Sequence, residues 1–270
     1  MRDVDRSRPG EKMAAQQSAG DQITRIAYPI GSRIATLLRR EMITDRMVRV
    51  TLGGAGLDGA HTYQSDDHMK LVFPHTDGVL RIPEQNERQM VSWHDRIGPT
   101  RDYTIRRYDA AAREIDFDVV LHAGGLASEW AMTAEIGSQI GLAGPPGAKA
   151  WPHTYDYYVM VGDCTALPAI ARWLGEHPGA PTRVLIATEH PAQRDYPLAL
   201  GSREPVVWLD DTGAEELTGA VEAVLGEGRG FLFAAGEAEL IKPLRRWSKG
   251  RLDSVITGYW KRGVSAYDDD

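Results

Sequence analysis

The chain has 270 residues, 42% apolar and 26% charged, the composition of a globular protein with length for one large core or two smaller ones. Its net charge is −7 (31 basic against 38 acidic residues), which argues against a broad polyanion-binding surface and makes nucleic acid a poor partner. The single cysteine, Cys164, rules out an intramolecular disulfide and any four-cysteine zinc or iron–sulfur site.

Residues 1–22 are polar, without periodicity and without an apolar signal region, so they are expected to be disordered. No window approaches the roughly 18 apolar residues that a membrane helix needs, and the expected location is the cytoplasm. From Arg33 to about Gly147 the signals are mostly strands. Arg46–Leu52 alternates, with Val48, Val50 and Leu52 on one face. His68–Phe73, Thr104–Tyr108, Glu114–Leu121 and Ile136–Leu142 follow, with one helical stretch at Leu126–Ala134. Many short strands and glycine-rich turns predict a small antiparallel β barrel over residues 23–150.

After Trp151-Pro152 the pattern changes. Tyr157–Val161 is a continuous apolar run, and Gly162-Asp163-Cys164-Thr165 opens a helix through Trp173. Further apolar runs at Arg183–Thr188, Val206–Leu209, Gly230–Ala235 and Ser254–Trp260 alternate with helical stretches at Ala214–Leu225 and Glu237–Lys249. This alternation predicts a parallel-sheet α/β domain over residues 151–264, and residues 265–270 read as an acidic tail.

Arg101-Asp102-Tyr103-Thr104, at the entry of a strand, has the groups that a flavin dinucleotide needs. A guanidinium binds two oxygens of the pyrophosphate, an aromatic ring offers a platform for the flat flavin, and a short donor serves its N5 and O4 edge. Alternate strand residues face one side, so Arg101 and Tyr103 can address one cofactor together, with Thr104 as the donor at the reacting edge. His122-Ala123-Gly124-Gly125-Leu126-Ala127-Ser128-Glu129-Trp130 comes straight after a strand and opens a helix. Open amides there, with glycines that admit a ligand, form an anion site, and Ser128 either caps the helix or binds phosphate. Gly162, Asp163 and Thr165 mark a second helix start, where a nicotinamide dinucleotide would lay its pyrophosphate. Glu189 could bind a ribose hydroxyl and favour NADH, whereas Arg194 could favour the phosphate of NADPH; the residues leave that choice open. Cys164 reads either as an activated thiol or as a small residue filling a turn. His61, His68 and His75 recur every seven residues on strand and loop, which does not make a metal site.

Arg-x-Tyr-Thr followed by Gly-x-x-Ser resembles the flavin signature of the ferredoxin-reductase-like superfamily. The wider set resembles the siderophore-interacting protein family of FAD-dependent ferric-siderophore reductases. That set comprises Asp67–Leu71 with Phe73-Pro74, Arg101–Arg106, Asp116–His122, Gly162–Ile170, Ala235-Gly236-Glu237 and Gly258–Gly263, in family order over roughly residues 30–263. The resemblance implies FAD bound by Arg101, Asp102, Tyr103, Thr104, His122, Gly125, Ala127, Ser128 and Trp260. It implies NADPH or NADH at Gly162, Asp163 and Thr165 as the donor, or ferredoxin in its place. It also implies Lys70, Lys261 and Arg262 as the basic groups for an anionic ferric siderophore, with Arg106 a further candidate. Tyr259-Trp260 stacks near the flavin or closes the core. The sequence departs from the family at Ala123, at Cys164 and at Glu129, which stands where an Arg commonly precedes the Trp. A monomer is expected. The competing readings are a reductase with a protein electron partner and a siderophore-binding protein whose redox role has decayed.

Overall fold

The computed structural model describes residues 4–201 and 203–267. Residues 268–270 of the expected acidic tail lie outside them. The chain divides into two compact units, one built on Thr24–Ala150 with the residues before 17, the other on Trp151 onward with Gln17–Ile23. Among the described residues no helix is long and apolar enough to cross a membrane.

The expectation of disorder over residues 1–22 is corrected at α1 (Pro9–Ala19). Proline is pre-set for the first helical position, and Glu11 in the first turn suits the positive end of the helix dipole. One buried side chain anchors it: Met13 packs with Ile26, Tyr28 and Ala150, worth about 1.5–3 kcal/mol. Composition does not reveal a helix held by one anchor.

In the first unit, β1 (Thr24–Ala27) pairs antiparallel with β11 (Gly147–Ala150). The main sheet is built from β2 (Ser32–Thr44), β3 (Met47–Gly53), β4 (His68–Val72), β7 (Thr100–Thr104), β8 (Arg107–Asp109), β9 (Glu114–Val120) and β10 (Gln139–Ala143). A two-stranded ribbon of β5 (Glu84–Gln85) and β6 (Val91–Ser92) stands apart from it. The order β7-β4-β10-β2-β3-β9-β8 is antiparallel throughout. The edge strands β7 and β8 do not pair with each other in this sheet. They are joined instead by the chain itself: the Ile105 amide donates to Asp67 O beside β4, and the Arg106 amide donates to Asp116 O on β9. The stretch Thr104–Tyr108, expected as one strand, thus breaks into two that serve opposite edges. This barrel-like sheet encloses Leu37, Val48, Val50, Leu52, Leu71, Phe117, Val119 and Leu142, with α2 (Leu126–Thr133) adding Ala127 and Ala131.

The second unit carries a five-stranded parallel sheet, in the order β14 (Val207–Asp210), β13 (Thr182–Thr188), β12 (Tyr157–Gly162), β15 (Gly230–Glu237), β16 (Asp253–Trp260). Its helices are α3 (Leu167–Glu176), α4 (Ala214–Ala223), α5 (Ala238–Ile241) and α6 (Pro243–Ser248). The helix expected over Glu237–Lys249 is split because Pro243 cannot donate into the preceding turn and starts a new helix instead. Strands β12 and β15 are buried at every position, as expected for parallel strands covered on both faces. Chain order reverses between β12 and β15, and in such sheets ligands bind beyond the carboxyl ends of the strands at that point.

Candidate functional site

In the first unit, β7 presents Arg101, half-buried, and Thr104, buried opposite His68 of β4. Tyr103 packs its ring against the barrel core, and burial raises its hydroxyl pKa well above the ordinary value. The Arg101 guanidinium donates through Nη1 to Thr100 O at 2.7 Å, which holds the side chain near the strand start.

Helix α2 supplies the second half. Its first amides, at Leu126, Ala127 and Ser128, have no intrahelical partner. The N-cap, Gly125, adds no side-chain bond. A Cβ on Gly125 would meet the His122 ring at 2.5 Å and Ser128 Oγ at 2.8 Å, so only glycine lets the turn close. Ser128 is not a cap: its hydroxyl donates to Val120 O at 2.9 Å and accepts from the His122 amide at 3.2 Å. It therefore ties the helix to the end of β9 and shapes the turn, leaving the amides to face a ligand. His122, with an exposed ring, lines an open groove of about 510 Å³ with Ala123, Gly124, Gly125, Glu129 and, from the β2–β3 turn, Asp45 and Arg46. Arg46 was not anticipated, because a lone arginine in a turn carries no signal.

Phe73 brings the two halves together. Its amide donates to Pro99 O just ahead of β7, and its ring meets Trp130 of α2 edge-on with centroids 5.8 Å apart. Phe73 is thus a shared neighbour of α2, through Trp130, and of the chain entering β7, through Pro99. The guanidinium of Arg101 and the open amides at the start of α2 are donors of the kind that suit an anionic dinucleotide.

Two site residues hold each other. Lys70 and Asp102 stand directly opposite in the β4–β7 register, and the ammonium donates to the carboxylate at 2.6 Å. Asp102, expected at the cofactor, thus spends its side chain on Lys70.

In the second unit, Asp163 is the hub. One carboxylate oxygen accepts from the Thr165 amide at 2.8 Å and its hydroxyl at 2.5 Å. The other accepts from the Glu237 amide and from Trp260 Nε1, both at 2.8 Å. Burial raises the pKa of this carboxyl, while its hydrogen bonds oppose the shift. Asp163 and Thr165 therefore organise the ends of β12, β15 and β16, and their side chains are committed to one another. Gly162 leaves no room for a side chain, since its Cβ would strike Ala166 and lie 2.6 Å from Ala235 O. Burial, reinforced by the Asp163 carboxylate, pushes the Cys164 thiol pKa far up, which discards the activated-thiol reading in favour of the turn-filling one.

The closing segment is clipped by acids. Lys261 donates to Glu239 at 2.6 Å, the Arg262 guanidinium pairs with Glu189, and the Arg262 amide donates to Glu237 Oε1 at 3.1 Å. Glu237 also caps α5 by accepting from the Leu240 amide at 2.9 Å. Glu189, considered for a ribose hydroxyl, thus has a cationic partner, and Arg194 donates to both oxygens of Asp210 at 2.6 Å. His61 stacks on Tyr63 and His75 lies 3.5 Å from Asp77; among the described residues no group of three or more His, Cys, Asp or Glu side chains is placed to hold a metal.

Residues 36–149 match the model of the siderophore-interacting FAD-binding domain, and residues 155–263 that of the siderophore-interacting protein. The chain is 31% identical over 249 residues to ferric vibriobactin reductase of Vibrio cholerae, covering 87% of this chain and 90% of that protein. It is 32% identical over 228 residues to an NADPH-dependent ferric-chelate reductase of Escherichia coli, covering 82% and 88%. A solved structure of a siderophore utilization protein from T. fusca superposes with a TM-score of 0.81 at 35% identity, covering 92% of this chain and 99% of that one. With both family models matched over residues 36–149 and 155–263, this chain belongs to the siderophore-interacting protein family, and its first unit is a FAD-binding domain.

Proposed function

We propose that this chain is a FAD-dependent ferric-siderophore reductase, drawing electrons from NADPH or NADH, or from reduced ferredoxin, and working as a cytoplasmic monomer. The observation that carries the reading is that one unit holds both the Arg101–Thr104 strand and the glycine-opened start of α2, with Phe73 bonded to Pro99 ahead of β7 and packed edge-on against Trp130 of α2. Relatives whose names are ferric reductases, one of them NADPH-dependent, support the same chemistry.

In this reading Arg101 holds the pyrophosphate and the amides of Leu126 to Ser128 take its remaining charge. Tyr103, kept neutral by burial, serves as an apolar platform. Thr104, at the end of β7, offers a donor to the reacting edge of the ring. His122, Gly125, Ala127 and Ser128 shape the turn around the phosphates, and the parallel-sheet crevice after Gly162 receives the nicotinamide nucleotide, with Trp260 fixed by Asp163 at its rim. Bound FAD supplies the change from a two-electron donor to one-electron steps. One hydride equivalent carries two electrons, which reduce two Fe(III) chelates to Fe(II), and its proton is released to solvent. Hard oxygen chelators hold Fe(II) far less tightly than Fe(III), so the metal is freed without any ligand from the protein.

The test is anaerobic. Purified protein with a flavin band near about 450 nm is mixed with NADPH, NADH or reduced ferredoxin, then with a ferric siderophore and an Fe(II) trap. Bleaching of the band, its return on adding the chelate and formation of trapped Fe(II) are expected. Arg101→Ala is expected to lose FAD, with affinity weakened roughly 100-fold for about 3 kcal/mol of lost charge-assisted bonding. An Arg101→Ala protein that keeps stoichiometric flavin contradicts the assignment.

A further inference from the structure

Resting on the reductase reading above, we infer that the parallel-sheet unit takes NADH in preference to NADPH, with Glu189 as the residue that decides and Asp210 as the one that keeps Arg194 from reversing the choice. The sheet itself gives the place. Chain order reverses between β12 and β15. In sheets of this kind a dinucleotide lies beyond the carboxyl end of the first strand, and its adenosine ribose meets an acid at the end of the next. Here the next strand is β13, parallel to β12, and Glu189 is the exposed residue that follows it. Asp210 ends β14 and stands beside Thr188 in the parallel register, one position from Glu189. The amide of Asp211 donates to Thr188 O at 3.1 Å, which holds the two strand ends together. Two carboxylates therefore share the ground on which the ribose has to sit.

Two guanidiniums reach the same strand ends, and each already has an acid. Arg194 donates through Nη2 to both oxygens of Asp210 at 2.6 Å. Arg262 pairs with Oε1 of Glu189, which leaves Oε2 to accept from a ribose hydroxyl. The next arginine along the chain, Arg203, is turned onto the carbonyls of Leu174, Ala199 and Leu200. The 2′-hydroxyl of NADH is a donor and suits the open carboxylate oxygen. The 2′-phosphate of NADPH is strongly anionic at neutral pH and meets a like charge there. To be held, it has to draw Arg194 off Asp210 or Arg262 off Glu189, and either exchange leaves a freed carboxylate beside it. Exposed ion pairs are weak one by one, so the acids do not lock the arginines in place. What they remove is the unopposed positive charge that a phosphate needs.

The full-length, FAD-loaded protein is titrated by calorimetry with ADP-ribose and with its 2′-phosphate. Both fragments carry the discriminating position and neither has a nicotinamide, so binding is read apart from hydride transfer. ADP-ribose is expected to bind roughly tenfold tighter, and the gap to narrow at high salt as the repulsion is screened. Asp210→Asn releases Arg194 and is expected to tighten binding of the 2′-phosphate roughly fivefold, with ADP-ribose little changed. Adding Arg194→Ala to that variant removes the gain. Glu189→Gln is expected to bring the two affinities together, because the neutral amide no longer repels the phosphate. Equal or tighter binding of the 2′-phosphate by the parent protein, binding of neither fragment, or an Asp210→Asn protein with the parent's discrimination overturns the inference. If ADP-ribose is preferred but NADH leaves the flavin band unbleached, the nucleotide preference stands and the donor part of the reductase reading fails.

Discussion

Asp163 accepts the indole N–H of Trp260 at 2.8 Å, joining the first strand of the parallel sheet to its last across 97 positions of sequence. The same carboxylate holds Thr165 and the amide of Glu237, so one side chain ties together the carboxyl ends of β12, β15 and β16. Asp163→Asn puts an NH2 group against donors on one side of this hub. Leaving buried donors unpaired costs about 2–4 kcal/mol. Denaturant unfolding should show it, with Thr165→Ala, which removes only the hydroxyl donor, clearly milder. Equal midpoints for Asp163→Asn and the parent protein argue against the hub.

Ser128 bridges Val120 O and the His122 amide, so its hydroxyl builds the glycine turn. Ser128→Ala is expected to destabilise by about 1–2 kcal/mol and to weaken FAD binding through the loosened turn. Unfolding curves with and without added FAD separate the two effects. A variant that loses FAD affinity with no change in apoprotein stability points to direct phosphate contact instead.

Asp66 has its pKa raised from 3.8 to about 6, by burial first and by the charge of Asp67 second. A raised carboxyl keeps its proton longer when folded, so its stabilisation is complete below about pH 4 and is lost as the pH climbs to about 6. Asp66→Asn keeps an acceptor for Gln64 Nε2, now 2.7 Å from Oδ1. It should flatten that decline and raise stability at pH 7 by about 1 kcal/mol. Melting temperatures at pH 4, 5, 6 and 7 give the answer, and an unchanged pH slope counts against it.

His153 behaves in the opposite sense. Burial, and then its neighbour His177, lower its pKa from 6.5 to about 4, and its Nε2 has no hydrogen-bond partner. The unfolded chain takes up a proton near 6.5 that the folded one refuses, so stability is full above that pH and falls as the pH drops toward 4. His153→Phe preserves the edge-on ring contact with Trp173, at 5.1 Å between centroids, and removes the titrating group. The expected outcome is a shallower acid decline, by about one proton in the slope. An acid decline as steep as before assigns the effect to other groups.

Much of this molecule is legible in one dimension because short-range rules govern it. The alternation of Arg46–Leu52 and Glu114–Leu121 and the apolar run of Tyr157–Val161 reveal strands, since burial follows side-chain direction along a strand. Strand β2 escaped notice because its mixed burial, exposed at Ile34, Leu38 and Met42, breaks the alternation. Helix α1 did so because a single buried methionine holds it. Within the candidate site, Arg101, Tyr103, Gly125 and Gly162 could be named from type and spacing, because phosphate, aromatic ring and close approach each demand one kind of residue.

What the sequence by itself determined is therefore the inventory: a strand-rich half followed by an alternating α/β half, a flavin signature at the entry of a strand, and a second helix start after a buried strand. What only the tertiary structure decided is how those side chains are spent. The β4–β7 register gives Lys70 to Asp102, the ends of three parallel strands converge on Asp163, and the last turn hands Lys261 and Arg262 to acids distant in sequence. The physical reason is that charge pairing and buried hydrogen bonding act over a few ångströms of space, while partners such as Glu189 and Arg262 lie 73 residues apart along the chain.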